Sequence, residues 1–277
     1  MDNIEHTPIY DSSRHFSPAL EELTEILRYR NLVLQMVRRD IVTRYKRSLL
    51  GIAWTMLNPL GTSIILVIVF SSVFGITIPG YPIYVLSGFL AWNFFSQTSN
   101  AAIVNLVWGG DLLRRIYIPR TIFAVSSIGT GLVNFLLALI PLLIIVIALG
   151  FPLTPALLFL PVSLIFLALF SLGVGLLLSS IAIYFTDVAE MYQIILMAWF
   201  YLSPVIYTDE LVPEELLVFV KVFNPMYHLI NLFRTPILSG QIPNFNEILI
   251  SSGWAFVSLL IGWLIFTRRA DEISYRV

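Results

Sequence analysis

The sequence predicts an all-α integral membrane protein with six transmembrane helices, an N-terminal amphipathic interfacial helix and two short re-entrant half-helices between spans five and six. Two long segments without any Asp, Glu, Lys or Arg support this prediction: Ser48 to Gly110 and Thr121 to Thr186, of 63 and 66 residues. A helix needs roughly 20 apolar residues to cross about 30 Å of hydrocarbon, so each segment holds two spans joined by a hairpin. Hydrophobic residues make up 58% of the chain and charged residues 12%, which excludes an ordinary soluble domain.

Two shorter uncharged segments, Met191 to Thr208 and Ile248 to Thr267, each fit one further span. Proline and glycine mark the breaks between spans, as at Pro79-Gly80 and Gly150. The predicted transmembrane domain covers residues 51–267, between an N-terminal segment (1–29) with an interfacial helix (30–50) and a tail (268–277). Its spans are expected at about 51–74, 83–107, 122–149, 156–183, 188–207 and 248–266.

The distribution of basic residues predicts a multi-pass protein of the cytoplasmic membrane with both termini in the cytoplasm. An even number of spans puts the two termini on one side, and 14 of the 16 Lys and Arg residues lie on that side. Only Lys221 and Arg234 lie opposite. Loops rich in Lys and Arg stay in the cytoplasm, so this side is assigned as cytoplasmic.

Residues 30–50, before the first span, predict a basic amphipathic helix. Leu34, Val37, Ile41 and Tyr45 fall on one helical stripe. The basic residues lie largely elsewhere: Arg38, Arg39, Arg44, Lys46 and Arg47. A helix of this type lies in the headgroup plane. The alternative is that these residues only enforce the orientation of the first span.

The segment from 208 to 247 is too long for a hairpin and too apolar for a solvated loop. Two helix-length stretches, 211–223 and 227–238, flank the break at Asn224-Pro225. Two half-helices that enter the membrane from the outer face fit this pattern, because irregular backbone at membrane depth is tolerated only against protein or water. The alternative is two helices that lie flat on the outer surface.

The sequence lacks the residues that several kinds of transport and enzyme chemistry require. The predicted span interiors hold no ionisable side chain for ion coupling. There is no GxxxxGK[ST] phosphate loop and no HExxH motif, and the three histidines are scattered. We therefore expect no catalytic, metal or cofactor site on this chain, and infer a passive pathway driven by another subunit.

Five local motifs resemble those of the ABC-2 type permeases that export polysaccharides, including O-antigen and teichoic acid. They occur in order, with compatible spacing, between about residues 30 and 267. They are the stretch 37–60, which begins VRRDIVTRYKRSLLGIAW, then LLRRIYIPR at 112–120, AIYFTDV at 182–188, SPVIY at 203–207, and FNPMY at 223–227 followed by Phe233-Arg234. One departure is Thr186, where the family commonly has Arg.

The resemblance implies a transport permease that is not itself an enzyme. It implies a homodimer bound to two ABC ATPase subunits, which hold ATP and Mg²⁺ and drive a lipid-linked glycan outward. The interfacial helix at 30–50 would border the substrate entry gate. The loop between spans two and three would form the coupling helix against the ATPase. Its residues are Asp111, Leu112, Leu113, Arg114, Arg115, Ile116 and Tyr117. The alternative is a plain topology loop.

Two sets of side chains are candidates for substrate contact. The five basic residues of the interfacial helix lie at headgroup level, where the diphosphate of a lipid carrier would need Arg or Lys donors. Aromatic rings can accept the apolar face of a sugar. The candidates are Trp54, Phe89, Trp92, Phe94, Phe95, Tyr192, Trp199, Phe200 and Tyr201. Interface anchoring and packing between helices are the alternatives for any one ring.

The function predicted from the sequence is export of a lipid-linked cell-surface polysaccharide: O-antigen, capsule or teichoic acid. One alternative is an ABC-2 permease for a drug or a lipid. Another is a membrane-embedded transferase for polyprenyl-linked sugars, which would need Asp, Glu or His at the depth of its active site. The sequence does not distinguish among the three glycans.

Overall fold

A computed structural model describes the protein at residues 18–75, 78–108 and 119–276. Within these ranges the chain forms ten α-helices and no strand, so the predicted all-α fold class is confirmed. The helices are α1 (Pro18–Arg28), α2 (Arg30–Tyr45), α3 (Trp54–Phe74), α4 (Tyr81–Trp108), α5 (Thr121–Ala148), α6 (Leu160–Ala182), α7 (Val188–Leu202), α8 (Glu214–Phe223), α9 (Pro225–Leu238) and α10 (Phe245–Arg276). Short 3₁₀ turns precede α3, α6 and α8, at Gly51–Ala53, Pro155–Phe159 and Asp209–Leu211.

Four helical segments in the described ranges are long and apolar enough to cross a membrane. They are Gly51–Ser72, Thr121–Ala148, Pro155–Ala182 and Phe245–Arg269. The bent pair formed by α8 and α9 makes a fifth if it is counted as one broken span. These segments correspond to predicted spans one, three, four and six, while the total of six spans stays a prediction.

The other two predicted spans are helical but differ from the four. The helix α4 has 28 residues, about 42 Å at 1.5 Å per residue, and Asn, Gln, Ser and Thr recur along it. The helix α7 has only 15 residues and ends at Leu202, so residues 203–207 of predicted span five lie outside the helix. Ser203 is extended, with ψ of 136°, because the residue before a proline is disfavoured in helical backbone.

The buried core lies among α4, α5, α6 and α9, where Phe95, Phe135, Phe170 and Phe233 belong to one hydrophobic cluster. At the side of this core, the helix α10 packs very closely along α6. A Cβ atom added at Gly262 would meet the backbone carbonyl of Gly173. Glycine at this crossing allows backbone-to-backbone contact, as is common between membrane helices.

The helix α2 lies against α5. Met36 is buried, and Val37 reaches Gly129, where an added Cβ would stand 2.8 Å from Val37 Cγ2. Of the predicted apolar stripe, Val37, Ile41 and Tyr45 are half-buried and Leu34 is 66% exposed. The position of this helix in the headgroup plane stays a prediction.

The predicted break at Asn224-Pro225 is present. There α8 and α9 meet at 89°, and the Asn224 side chain accepts a hydrogen bond from the Met226 backbone N–H as the N-cap of α9. The helix α9 is buried along most of its length, whereas Val220 is the one buried residue of α8. Entry of the two helices into the membrane stays a prediction.

Candidate functional site

A cavity of about 300 Å³ opens between the end of α2 and the helices α3, α4 and α5. A second cavity of about 250 Å³ adjoins it further along α4 and α5. Both are lined by Arg44, Gln97, Thr98, Gly131 and Asn134. We call this continuous depression the amide groove, because its polar floor consists of Asn93, Gln97 and Asn134, with Thr130 beside them.

Helical spacing brings these polar residues onto facing sides of α4 and α5. Asn93 and Gln97 are four residues apart on α4, and Thr130 and Asn134 are four apart on α5, so each pair shares one helix face. Gly131 lets the two helices approach, since an added Cβ there would collide with Cγ2 of Thr98. The groove is therefore a consequence of two polar rows on closely packed helices.

The amides of Asn93, Gln97 and Asn134 form no hydrogen bond to any residue that the structure describes. The hydroxyl of Thr130 is also buried without a partner. Asn105 differs, because its Nδ2 donates to Ser127 Oγ at 2.9 Å and thereby ties α4 to α5. The three amides are thus left for a ligand or for water.

The lining of the first cavity also has apolar parts. Trp54, Phe94 and Phe135 contribute aromatic rings, and Leu90 and Pro59 contribute aliphatic surface. Polar side chains of α3, Thr55 and Asn58, lie among them. The first cavity therefore combines hydrogen-bonding and hydrophobic groups, which is the usual composition of a small-molecule site.

Charge enters the groove only at its end near α2. Arg44 lines both cavities, and Asp40 lines the second one. Asp40 is already paired with Arg39, at 3.0 Å between Asp40 Oδ1 and Arg39 Nη2. No group of His, Cys, Asp and Glu able to hold a metal ion occurs in the described ranges.

Most of the predicted aromatic path residues pack against one another inside the subunit. Phe95 and Trp199 have ring centroids 5.2 Å apart, and Trp92 and Phe200 5.5 Å apart. Trp92, Phe95 and Tyr192 are at most 5% exposed. Their role along a substrate path stays a prediction that this packing does not favour.

The remaining aromatic candidates lie closer to the surface or to the groove. Phe89 is half-buried, and Tyr201 is exposed. Phe94 and the half-exposed Trp54 line the amide groove. The structure therefore brings together two of the predicted rings and separates them from the others.

All five predicted basic residues of the interfacial helix are exposed: Arg38, Arg39, Arg44, Lys46 and Arg47. Among them, only Arg44 lines the amide groove. The predicted coupling residues, 111–117, lie outside the described residues, between the end of α4 and the start of α5.

Sequence reasoning missed the amide floor and Arg234. The floor had a signal, since Asn93 and Gln97 recur at a spacing of four in a predicted span that is unusually rich in uncharged polar residues. Arg234 was assigned to an outer loop, but it is 4% exposed and donates from Nη1 and Nη2 to the carbonyl of Pro204 at 3.1 Å. The motif Phe233-Arg234 marked its position without indicating this burial.

Comparison with known proteins places these features in a family. Residues 31–238 match the ABC-2 type transporter family. The chain is 28% identical over 252 residues to the O-antigen export system permease protein RfbA of Myxococcus xanthus, covering 90% of this chain and 96% of that protein. It is 24% identical over 249 residues to RfbA of Klebsiella pneumoniae, covering 89% and 93%.

A third relative is named for a cargo other than O-antigen. The polysialic acid transport protein KpsM of Escherichia coli is 24% identical over 240 residues, covering 85% of this chain and 92% of that protein. The family match covers about three quarters of the chain and includes the helices α2 to α5 that build the amide groove. The chain therefore belongs to the ABC-2 type transporter family.

Proposed function

We propose that this chain is the transmembrane subunit of an ABC exporter that moves a lipid-linked cell-surface polysaccharide outward across the cytoplasmic membrane. The observation that carries the proposal is the amide groove, which offers neutral hydrogen-bonding groups and aromatic surface with one basic residue at its end. These groups match a hydroxyl-rich chain with an anionic lipid carrier. The relatives named as O-antigen, polysialic acid and capsule exporters support the same cargo class.

The energy for export comes from partners in this proposal. The functional unit contains two copies of this chain and two ABC ATPase subunits that hold ATP and Mg²⁺, with both termini of this chain in the cytoplasm. The loop at 111–117 contacts the ATPase, with Leu113 and Tyr117 as apolar contacts. Crosslinking from either position tests this arrangement, and absence of an ATPase adduct in every nucleotide state would contradict it.

The experiment that tests the cargo is deletion of the gene in its host, followed by measurement of surface glycan and of lipid-linked polymer inside the cell. Loss at the surface with accumulation inside is the expected result, because synthesis continues while export stops. Loss without accumulation would overturn the proposal in favour of a transferase. An unchanged surface would overturn it in favour of a drug or lipid cargo.

A further inference from the structure

The amide groove contains polar groups whose hydrogen-bonding capacity the protein does not use. Each amide of Asn93, Gln97 and Asn134 has two donor hydrogens and an acceptor oxygen, and none forms a hydrogen bond with a described residue. Asn93 and Asn134 are half-buried and Gln97 is exposed, so all three amides are open to an incoming group. Thr130 lines the second cavity, but its hydroxyl is buried and has no partner among the described residues. An incoming group that both donates and accepts can therefore take the place of water on the three amides.

Hydrogen bonding between neighbouring helices does not explain why these three amides are present. Amide side chains in membrane helices often bond across to a neighbouring helix, and Asn105 does so with Ser127. Asn93 and Gln97 lie on the same helix as Asn105 and leave Asn134 unbonded on the facing helix. On this pair of helices, Asn105 is used for packing, Asn100 has a buried Oδ1 without a partner among the described residues, and Asn93, Gln97 and Asn134 line the open groove.

The chemistry of the groove selects an uncharged, hydroxyl-bearing occupant. An anionic group would favour Arg or Lys donors, and Arg44 is the one basic residue on the lining. A lipid tail would favour a wall without amides. A sugar ring presents hydroxyls at its edge and C–H groups on its faces, which match the amide floor and the rings of Trp54 and Phe135.

We propose that the amide groove is a sugar-binding subsite in which Asn93, Gln97 and Asn134 hydrogen-bond the hydroxyls of one neutral sugar unit while Trp54 covers a ring face. The inference deepens and rests on the proposed export function. A cavity of about 300 Å³ is at the lower end of the range for small-ligand sites, which suits a single unit rather than a long segment. Arg44 at the end of the groove leaves room for an anionic carrier next to that unit.

Photo-crosslinking in cells that make the glycan tests this subsite. A benzoylphenylalanine at position 97 is compared with one at position 193, because Gln193 is an exposed amide on α7 that lines neither cavity. Periodate-sensitive adducts at 97 and none at 193 are expected. Adducts at 97 that contain lipid but no sugar, or equal glycan labelling at both positions, would overturn the proposal.

Substitutions provide the second measurement. Asn93→Leu and Asn134→Leu should each reduce polymer export roughly tenfold, since each removes hydrogen bonds to the sugar, while Asn134→Gln should restore most of it. Gln193→Leu is the matched control and should leave export unchanged. Normal export by an Asn93→Leu, Asn134→Leu double variant would refute the subsite.

Failure of the subsite and failure of the export function give different results. If the deletion strain keeps its surface glycan, the export function fails whatever the variants do. If the deletion strain loses surface glycan and the double variant restores it, export stands and the subsite alone is refuted.

Discussion

The guanidinium carbon of Arg234 lies 3.5 Å from the centroid of the Tyr84 ring. The same guanidinium donates to the carbonyls of Pro204 and Val205, where the chain leaves α7. One side chain therefore joins α9, α4 and the turn after α7. In the described ranges no carboxylate lies within ion-pair distance of it, so its charge is balanced by carbonyl dipoles and the aromatic face.

Replacing Arg234 should destabilise this junction. Arg234→Met keeps an unbranched apolar stem but leaves the buried carbonyl of Val205 without a donor, at a cost of about 1–3 kcal/mol. The carbonyl of Pro204 keeps the Tyr84 hydroxyl as a donor, at 3.1 Å. Thermal unfolding in detergent should show a lowered midpoint. Arg234→Lys, which keeps the charge and loses the forked geometry, should fall between Met and wild type. A midpoint for Arg234→Met equal to that of wild type would contradict this account.

Gly88 is expected to be indispensable for the same junction. A Cβ atom at this position would collide with Nη2 of Arg234 and stand 3.1 Å from the carbonyl oxygen of Val205. Gly88→Ala should therefore lower the unfolding midpoint. The control is Gly61→Ala on α3, where nothing lies within 4 Å of the added atom and alanine favours the helix by roughly 1 kcal/mol. If the two variants behave alike, the steric argument fails.

Asn224 should control the geometry of the bend between α8 and α9. Its Oδ1 accepts from Trp199 Nε1 at 2.8 Å and from the Met226 backbone N–H at 3.0 Å, and its Nδ2 donates to Ser203 Oγ at 2.9 Å. Asn224→Ala should reduce stability by about 1–3 kcal/mol and shift the emission of Trp199, measured in a variant that keeps this tryptophan alone. Asn224→Asp keeps the acceptor and should preserve more of the emission. Unchanged emission in Asn224→Ala would count against this role.

His228 is expected to fasten α9 to α10. Its Nδ1 lies 3.0 Å from Glu247 Oε1 and its Nε2 lies 2.7 Å from the backbone carbonyl of Lys221. His228→Phe keeps a ring of similar size and removes both hydrogen bonds, which should lower stability by about 1–3 kcal/mol. Glu247→Gln keeps an acceptor and should have a smaller effect, which a comparison of unfolding midpoints will measure. A larger effect for Glu247→Gln would reverse this assignment.

Arg44 should contribute to export more than other basic residues near the N-terminus. It lines both cavities of the groove, so Arg44→Gln removes a donor for an anionic carrier and should reduce export roughly 3- to 10-fold. Arg28→Gln changes an exposed arginine on α1 and should leave export unchanged. Surface glycan, normalised to the amount of permease in the membrane, provides the measurement. Equal export by the two variants would argue against contact between Arg44 and the cargo.

The length of the uncharged segments predicted the helical fold, because a helix that crosses a bilayer must be apolar over a fixed distance. The break at Asn224-Pro225 was also visible, since proline and a capping asparagine act locally. The end of α7 at Leu202 was missed, although Pro204 signalled it, because the uncharged stretch continued to Thr208. Apolar composition alone does not define where a helix ends.

The candidate site depended on contacts that composition does not encode. Trp92 and Phe95 have the same residue types as Trp54 and Phe94, yet the first two pack in the core and the last two line the groove. Gln97 and Asn134 can face each other because α4 and α5 approach closely at Gly131. The meeting of side chains from two helices depends on tertiary packing, and the order of residues in one sequence does not reveal it.

The polar row on α4 also bears on how the protein reaches the membrane. Asn93, Gln97 and Asn105 make this helix a poor candidate for independent release from the translocon into lipid, because polar side chains raise its apparent insertion free energy. The apolar α3 comes immediately before it, and α5 packs along it but leaves Asn93 and Gln97 in the open groove. We therefore expect α4 to enter the membrane together with its neighbours, and replacement of its amides by leucine should ease insertion while it impairs transport.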